Sequence, residues 1–176
     1  ENINNLINWA ITQHIDNEIK DVLFSTSVSF DLSMYEIFAT LSSGRNLFIV
    51  DNALSLIDYK SPNVQLINLT PTVCKTLLKN NAIPKTVKTV NLAGELLDQQ
   101  LSNRLYKLDH ITKVFNLYAP TETTTYSTCK LLQANNEVNA GFPISNTAIP
   151  IINTCIYWFF NFIRKNFSQL CINFIY

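Results

Sequence analysis

The sequence predicts an α/β fold in which a mostly parallel sheet is flanked by helices. The main observation is that short apolar segments of strand length alternate with segments whose apolar residues recur at helical spacing. Short apolar strands between amphipathic helices are typical of parallel sheets that helices cover. The composition agrees, because 176 residues with 47% hydrophobic content can form one domain with a sizeable core.

The first elements are read directly from spacing and from helix signals. Apolar residues at helical spacing predict a helix over Asn2 to Asn17, and Val22 to Ser27 then predicts a strand. Asp31 supplies a start for the second helix and Gly44 a stop, with apolar residues at helical positions between them. Leu47 to Val50 predicts a short buried strand.

The second half of the chain continues the alternation of strands and helices. Its first helix opens on a threonine followed by a proline, which helices tolerate in the first turn. The predicted elements are a strand over Val64 to Leu69, a helix over Thr70 to Leu78, a strand over Val87 to Leu92, a helix over Leu97 to Leu108, a strand over Lys113 to Tyr118 and a strand near Tyr126 to Leu132.

Charge and cysteine content narrow the class of partner. Thirteen basic residues balance thirteen acidic ones, so no net field favours nucleic acid or an anionic membrane, and a small-molecule partner is expected. The widely spaced Cys74, Cys129, Cys155 and Cys171 include no CxxC pair, which favours reduced intracellular thiols over disulfides or zinc. The chain starts at Glu1 with no secretion signal, so we expect a cytoplasmic piece of a longer protein.

Several segments of interest fall where the predicted strands end and loops lead into helices. They are Phe30 and Asp31, Asn68 to Pro71, Asn91 to Glu95 and Asn116 to Glu122. Ligands of such sheets bind outside the carboxyl ends of the strands, so the sequence predicts a binding site at this edge.

Five runs of residues occur in one order: Phe30 to Phe38, Asn68 to Thr72, Asn91 to Glu95, Asn116 to Glu122 and Gly141 to Thr147. Together they closely resemble the adenylation domains of nonribosomal peptide synthetases, which belong to the adenylate-forming superfamily. The resemblance covers roughly residues 1 to 149. It implies that the chain is part of the large N-terminal subdomain of an adenylate-forming enzyme.

The resemblance implies a two-step reaction with ATP and Mg²⁺. An amino acid carboxylate attacks the α-phosphate of ATP, and the aminoacyl group then passes to the phosphopantetheine thiol of a carrier protein. Carrier and condensation domains are the implied partners, with no nucleic acid and no membrane. Two alternatives stay open: another adenylate-forming ligase of the acyl-CoA synthetase type, and a non-catalytic remnant of a decayed reading frame.

The resemblance also implies an ATP or AMP site at Gly94, Glu95, Asn116, Tyr118, Ala119, Thr121 and Glu122. Glu122 would coordinate Mg²⁺, Thr121 would contact phosphate, and Tyr118 would place its ring against the adenine. Ala119 departs from the family's usual glycine and would be strained if φ there were positive. Without the resemblance, the segment is equally well a turn that enters a helix capped by Thr121.

Substrate-binding positions carried over from the family are Asp31, Leu32, Tyr35, Asn68, Asn91, Ala93, Leu117, Thr125 and Tyr126. Asp31 would pair with the α-ammonium group of an amino acid, and its alternative role is a helix cap. Because Tyr35, Leu117 and Tyr126 are bulky, we expect a small neutral substrate such as glycine or alanine, with cysteine next. No partner for a charged side chain is evident, which disfavours charged amino acids.

Two parts of the family's catalytic machinery have no match in the chain. With three glycines in total, it contains no Gly-rich phosphate loop, and it lacks the subdomain that carries the catalytic lysine. We therefore assign no catalytic residue and expect the chain alone to be inactive. Residues 150–176 form a divergent apolar tail, which Asn153, Asn161 and the pair Arg164-Lys165 leave short of the roughly twenty apolar residues of a membrane span.

Overall fold

A computed structural model of the protein describes residues 2–15, 17–59 and 62–149. The chain divides into one compact unit over Glu1–Asn146 and a second over Thr147–Tyr176, of which residues 147–149 are described. The predicted tail at 150–176 therefore lies outside the described residues. Among the helices of the described part, none is long and apolar enough to cross a bilayer.

The first unit is built on a seven-stranded sheet, as counted over the described residues, in the order β2-β1-β3-β4-β5-β6-β7. The strands are β1 Asp21–Phe24, β2 Asn46–Ile49, β3 Leu66–Leu69, β4 Thr89–Ala93, β5 Lys113–Tyr118, β6 Thr128–Leu131 and β7 Phe142–Pro143. The first five strands pair in parallel, whereas β6 and β7 are antiparallel. The predicted α/β class with a mostly parallel sheet is confirmed.

Helices and single turns connect these strands. The α-helices are α1 Asn2–Trp9, α2 Leu32–Met34, α3 Thr40–Ser42, α4 Pro71–Lys79 and α5 Gln99–Leu105. Wider π-type turns over Ala10–His14 and Tyr35–Ala39 follow α1 and α2, and 3₁₀ turns span Ala53–Ile57 and Thr121–Thr123.

Local signals explain where helices α4 and α5 begin. The Thr70 hydroxyl accepts a hydrogen bond from the Val73 amide at 3.4 Å, and Pro71 occupies the first turn of α4. Asp98 caps α5 in the same way, since its carboxylate accepts from the Leu101 amide at 2.8 Å.

Each face of the sheet is covered by its own apolar cluster. Helices α4 and α5 cover one face, where the cluster includes Ile67, Val90, Val114, Cys74, Leu77, Leu101 and Leu105. Helix α1 and the first π-type turn cover the other face, where the cluster includes Val22, Leu66, Leu117, Leu6, Trp9, Tyr35 and Tyr126. Strands β3 and β4 are buried at every residue because helices lie on both sides of them.

Two predictions about elements need correction. The strand predicted over Leu47 to Val50 is present as β2, but it is the edge strand, and Ile49 is 67% exposed. Its predicted burial was wrong because an apolar composition does not tell a central strand from an edge strand. The helix predicted to start at Asp31 is present but divided by the turn Tyr35–Ala39, which places Tyr35 and Glu36 in the interior.

Candidate active site

The carboxyl ends of the parallel strands bring the predicted substrate-binding positions together. Asn68 on β3 lies beside Asn91 on β4, and Ala93 at the end of β4 lies beside Leu117 on β5. The remaining positions, Asp31, Leu32, Tyr35, Thr125 and Tyr126, approach from α2, the following π-type turn and the loop before β6. Residues up to 94 positions apart in sequence therefore share one region.

Asp31 joins the start of α2 to the loop before β6. Its Oδ2 accepts a hydrogen bond from the Thr125 amide at 3.2 Å, and the Thr125 hydroxyl donates to the Asp31 carbonyl at 3.1 Å. Its side chain makes no capping hydrogen bond to α2, so the alternative role as a helix cap is wrong. The carboxylate instead lies half-buried against the chain that follows Thr121 and Glu122.

Two tyrosines fill the interior beside Asp31. Tyr35 and Tyr126 are each 1% exposed, and their rings meet edge to face with centroids 5.0 Å apart. Burial raises the pKa of both hydroxyls well above the usual value, so both side chains are neutral phenols. With Leu117, which is also buried, they restrict the space at the strand ends.

The side chains of Asn68 and Asn91 are hydrogen-bonded to each other. The Asn91 amide donates to Asn68 Oδ1 at 2.8 Å, and the Tyr126 hydroxyl donates to the same oxygen at 3.4 Å. Both amides are buried, so these bonds satisfy groups that would be costly to leave unpaired.

Two further residues belong to this polar cluster and were missed by the sequence analysis. Glu36 is fully buried and accepts hydrogen bonds from the Asn68 amide at 3.1 Å and from the backbone amides of Ser25 and Thr26. His14 Nε2 lies 3.1 Å from Asn91 Oδ1. The available signal for Glu36 was a single acidic residue between the apolar Tyr35 and Ile37 of a helical stripe.

Burial also governs the ionisation of Glu36. Loss of hydration raises the pKa of its carboxyl to about 7, against the opposing effect of the hydrogen bonds that it accepts from Thr26, Asn68 and Ser25. Glu36 is therefore an acidic group that changes charge near neutral pH in the interior of the cluster.

The predicted nucleotide positions lie outside this cluster, on the last residues of β5 and on the loops that follow β4 and β5. Gly94 has φ +82°, which glycine adopts without strain, and the exposed Glu95 follows it. Glu95 accepts hydrogen bonds from the Thr72 amide at 2.9 Å and the Thr72 hydroxyl at 2.6 Å. Burial acts to raise the pKa of Glu95, but these bonds outweigh it and lower the pKa. The Asn116 amide donates to the Asn139 carbonyl at 2.9 Å.

In the loop after β5, backbone strain occurs at Thr124 and Thr125 and not at Ala119, where it was expected. Ala119 does not have a positive φ, so the glycine-to-alanine departure carries no backbone strain. Thr124 and Thr125 both have φ of 65°, a region that β-branched residues rarely adopt. Such conformations persist where the surroundings impose them, and the bonds between Thr125 and Asp31 do so here.

The same loop presents a carboxylate to solvent. Thr121 and Glu122 are exposed in a 3₁₀ turn that begins after Pro120, so Thr121 does not cap a helix. A single exposed carboxylate suits Mg²⁺, which proteins usually bind through one or two carboxylates together with phosphates and water. No group of three or more metal-ligating side chains occurs among residues 2–15, 17–59 and 62–149, so Glu122 fits a shared site of this kind.

An open polar cleft of about 420 Å³ lies at the opposite end of the sheet, at the amino ends of β1 and β2. Its lining residues are Asn17, Ile19, Lys20, Ser43, Gly44, Arg45 and Asn46. None of these is a predicted site residue, so this cleft is separate from the cluster at the carboxyl ends.

Comparison with known families agrees with the geometry at the carboxyl ends. The family model described as AMP-binding enzyme matches residues 1–155. The chain belongs to this family. The match extends beyond residue 149, where the sequence analysis expected the likeness to end, and it confirms the superfamily that the five motif runs indicate.

The relatives of this chain are large synthetases. A linear gramicidin synthase protein of Brevibacillus parabrevis is 47% identical over 148 residues, which are 82% of this chain and 3% of that protein. The AMB antimetabolite synthetase AmbB of Pseudomonas aeruginosa is 39% identical over 152 residues, which are 84% of this chain and 12% of that protein. The chain thus spans a small part of the relatives that it matches.

Solved structures share the fold of this chain. A four-domain nonribosomal peptide synthetase bound to AMP and glycine aligns with a TM-score of 0.69 at 24% identity, over 81% of this chain and 11% of that one. The Vibrio cholerae adenylation domain AlmE in complex with glycyl-adenosine-5'-phosphate aligns with a TM-score of 0.66 at 22% identity, over 78% of this chain and 27% of that one.

Proposed function

We propose that this chain is the central part of an adenylation domain that activates an amino acid as its aminoacyl adenylate. The observation that carries the proposal is the position of Asp31. Its carboxylate lies half-buried beside the neutral Tyr126 and is tied by Thr125 to the loop that carries Glu122. The synthetases related to this chain support the same assignment.

Asp31 supplies the group that an amino acid needs and other acids do not. A carboxylate binds an α-ammonium group through a charge-assisted hydrogen bond, which is stronger in a partly buried site than in water. An aryl or fatty acid has no ammonium group and would leave the charge without a partner. Asp31 thereby favours amino acid activation over the alternative ligase of the acyl-CoA synthetase type.

The carboxyl ends of β4 and β5 and the loops that follow them would hold the nucleotide. Tyr118, which is 38% exposed, offers a ring for the adenine, and Gly94 and Asn116 flank the same edge of the sheet. Thr121 would contact phosphate, and Glu122 would hold Mg²⁺, whose charge lowers the cost of negative charge developing on the phosphates. These residues would orient the α-phosphate toward the substrate carboxylate, and positioning is the main contribution of a protein to such transfers.

The pocket favours a small neutral amino acid. Tyr35, Tyr126 and Leu117 occupy the space at the strand ends. Asn68 and Asn91 hydrogen-bond to each other, which leaves fewer of their polar groups for a substrate. Glycine or alanine fits best, with cysteine next. In the complete synthetase, a carrier protein would accept the aminoacyl group on its phosphopantetheine thiol in the cytoplasm, and condensation domains would use it.

A pair of nonhydrolysable ligands tests the ammonium contact directly. Alanyl sulfamoyl adenosine and propionyl sulfamoyl adenosine differ only in the amino group, and their binding to the chain is compared by calorimetry. We expect at least about tenfold tighter binding of the alanyl ligand, equal to roughly 1.4 kcal/mol, and loss of that preference in Asp31→Asn. Equal affinity for both ligands, with no effect of the substitution, would favour the acyl-CoA synthetase type.

A further inference from the structure

A continuous chain of polar side chains runs through the interior beneath the proposed pocket. It starts at Glu36, whose Oε1 accepts from the Asn68 amide at 3.1 Å, and continues as Asn91 donates to Asn68 Oδ1 at 2.8 Å. It ends where His14 Nε2 lies 3.1 Å from Asn91 Oδ1. All four side chains are at least 96% buried.

Both ends of this polar chain lie on π-type turns. Glu36 is the second residue of the turn Tyr35–Ala39, and His14 is the last residue of the turn Ala10–His14. Turns of this kind are rare and occur frequently at functional sites, because they aim a side chain in a direction that a regular helix does not allow. The two amides between the ends are residues that the resemblance assigns to the amino acid pocket.

The charge of Glu36 sets the direction of every hydrogen bond in the polar chain. An ionised carboxylate only accepts, so Asn68 must turn its NH₂ group toward Glu36 and its oxygen toward Asn91. Asn91 must then donate to that oxygen and present its own oxygen to His14. A carboxylate at one end thus imposes one orientation on two amides in succession.

We propose that Glu36 is a positioning residue of the amino acid pocket. Its carboxylate fixes the orientation of the Asn68 amide and, through Asn68, that of Asn91. It thereby determines which polar atoms the two amides offer to a substrate side chain. The inference rests on the proposed function for its substrate, although the hydrogen-bond order itself can be measured without any ligand.

The other groups around Glu36 donate hydrogen bonds to its carboxylate. The backbone amides of Ser25 and Thr26 hold Oε2 in place, and the Thr26 side chain is a further hydrogen-bond partner. The titratable side chains that face it are Tyr35 on its own turn and Tyr126 on the loop before β6, and burial keeps both protonated. His14 lies at the far end of the two amides, and its ring also meets that of Tyr35 with centroids 6.1 Å apart.

The tautomer of His14 reports the orientation of the Asn91 amide. With a carboxylate at position 36, Asn91 Oδ1 faces His14 Nε2, so Nε2 must carry the proton. In Glu36→Gln, the new amide oxygen keeps the bonds from Ser25 and Thr26, and the new NH₂ group donates toward Asn68. Both asparagines then turn over, and Asn91 donates to His14 Nε2, so the proton moves to Nδ1.

Imidazole ¹⁵N NMR of the full chain at pH 8.5 tests this order. The wild type should show a protonated Nε2 at His14, and Glu36→Gln should show a protonated Nδ1. His110, the second of the two histidines, and the exposed-site variant Glu137→Gln serve as controls and should show no change. A folded Glu36→Gln variant that keeps the proton on Nε2 would overturn the proposal.

A second measurement does not depend on the folding of the variant. Between pH 6 and pH 8.5, the side-chain amide signals of Asn68 and Asn91 in the wild type should shift together with one midpoint near 7. Amide signals that stay constant while the ¹³C signal of the Glu36 carboxyl titrates would also contradict the proposal.

A binding measurement separates this proposal from the proposed function. Affinity for cysteinyl sulfamoyl adenosine, whose thiol can hydrogen-bond to an amide, should fall about tenfold in Glu36→Gln, as expected for one mispaired buried polar group, whereas AMP affinity should not change. An unchanged cysteinyl affinity would overturn the positioning role. If the wild type does not prefer alanyl over propionyl sulfamoyl adenosine, the proposed function is contradicted. The NMR test of the hydrogen-bond order is independent of that result, because it uses no ligand.

Discussion

Two carboxylates, Asp31 and Glu36, occupy successive turns of one segment and have different environments. Asp31 is half-buried at the edge of the cluster and bonded to Thr125, whereas Glu36 is enclosed and bonded to Asn68 and two backbone amides. The first is suited to bind a cation from solvent, and the second is suited to organise neutral amides around it.

Asp31 should also stabilise the strained loop that it contacts. Asp31→Ala removes the acceptor of the buried Thr125 amide, so the free energy of unfolding should fall by roughly 1–3 kcal/mol. Asp31→Asn keeps an acceptor oxygen, so its free energy of unfolding should fall much less. Urea denaturation of both variants separates the two roles of this side chain, and an equal loss in the two variants would contradict the structural role.

Glu36 should give stability an unusual pH dependence. Its pKa is raised from 4.5 to about 7 in the folded chain, so between these values the folded state holds a proton that the unfolded state has lost. Stability from this group is therefore complete below pH 4.5 and falls as pH rises to 7, by on the order of 3 kcal/mol.

The comparison with Glu36→Gln isolates that contribution. Because other carboxyls titrate at lower pH, the quantity to measure is the difference in unfolding free energy between variant and wild type, at pH 5 and at pH 8. The unfolding free energy of the variant should increase relative to that of the wild type as pH rises. A constant difference would show that the pKa of Glu36 is not raised.

At the scale of elements, the regular strands and helices were predictable, and the irregular turns were not. Strand β5 has the predicted bounds Lys113 to Tyr118, and Thr70 caps α4 as its residue type suggests. The sequence gives no sign of the π-type turn Tyr35–Ala39, because its apolar residues recur at helical spacing and predict a regular helix. The bond between Glu36 and Asn68 joins residues 32 positions apart, which no local pattern encodes.

Strand pairing near the end of the sheet should depend on a glycine before β7. Gly141 has φ +76°, and a Cβ there would lie 2.2 Å from the Cys129 carbonyl oxygen on β6. Gly44 has a similar φ of +70° but open space around it. Gly44→Ala should therefore cost roughly 1 kcal/mol of stability from the backbone alone.

Gly141→Ala should cost roughly 1–3 kcal/mol more than Gly44→Ala, because the backbone of β6 must move. Thermal or urea unfolding of the two variants gives the comparison. Equal losses would mean that β7 does not approach β6 as closely as the structure has it.

At the scale of the whole molecule, the proposed function gives this chain part of a catalytic site. The positions proposed to contact adenine, magnesium and the ammonium group lie in one region, whereas the three glycines are far apart in the sequence and match no phosphate loop. The chain alone should therefore show no appreciable ATP–pyrophosphate exchange with glycine, alanine or cysteine. A rate comparable to that of an intact adenylation domain would contradict this expectation.

The position of a bound aminoacyl adenylate analogue tests the central claim most directly. A crystal structure of the chain with alanyl sulfamoyl adenosine should show the ammonium group within hydrogen-bonding distance of Asp31 and the adenine against Tyr118. The alanyl methyl group should lie toward Tyr35 and Tyr126. Binding of the ligand in the polar cleft beside Lys20 and Arg45, with the carboxyl ends of the strands empty, would contradict the account.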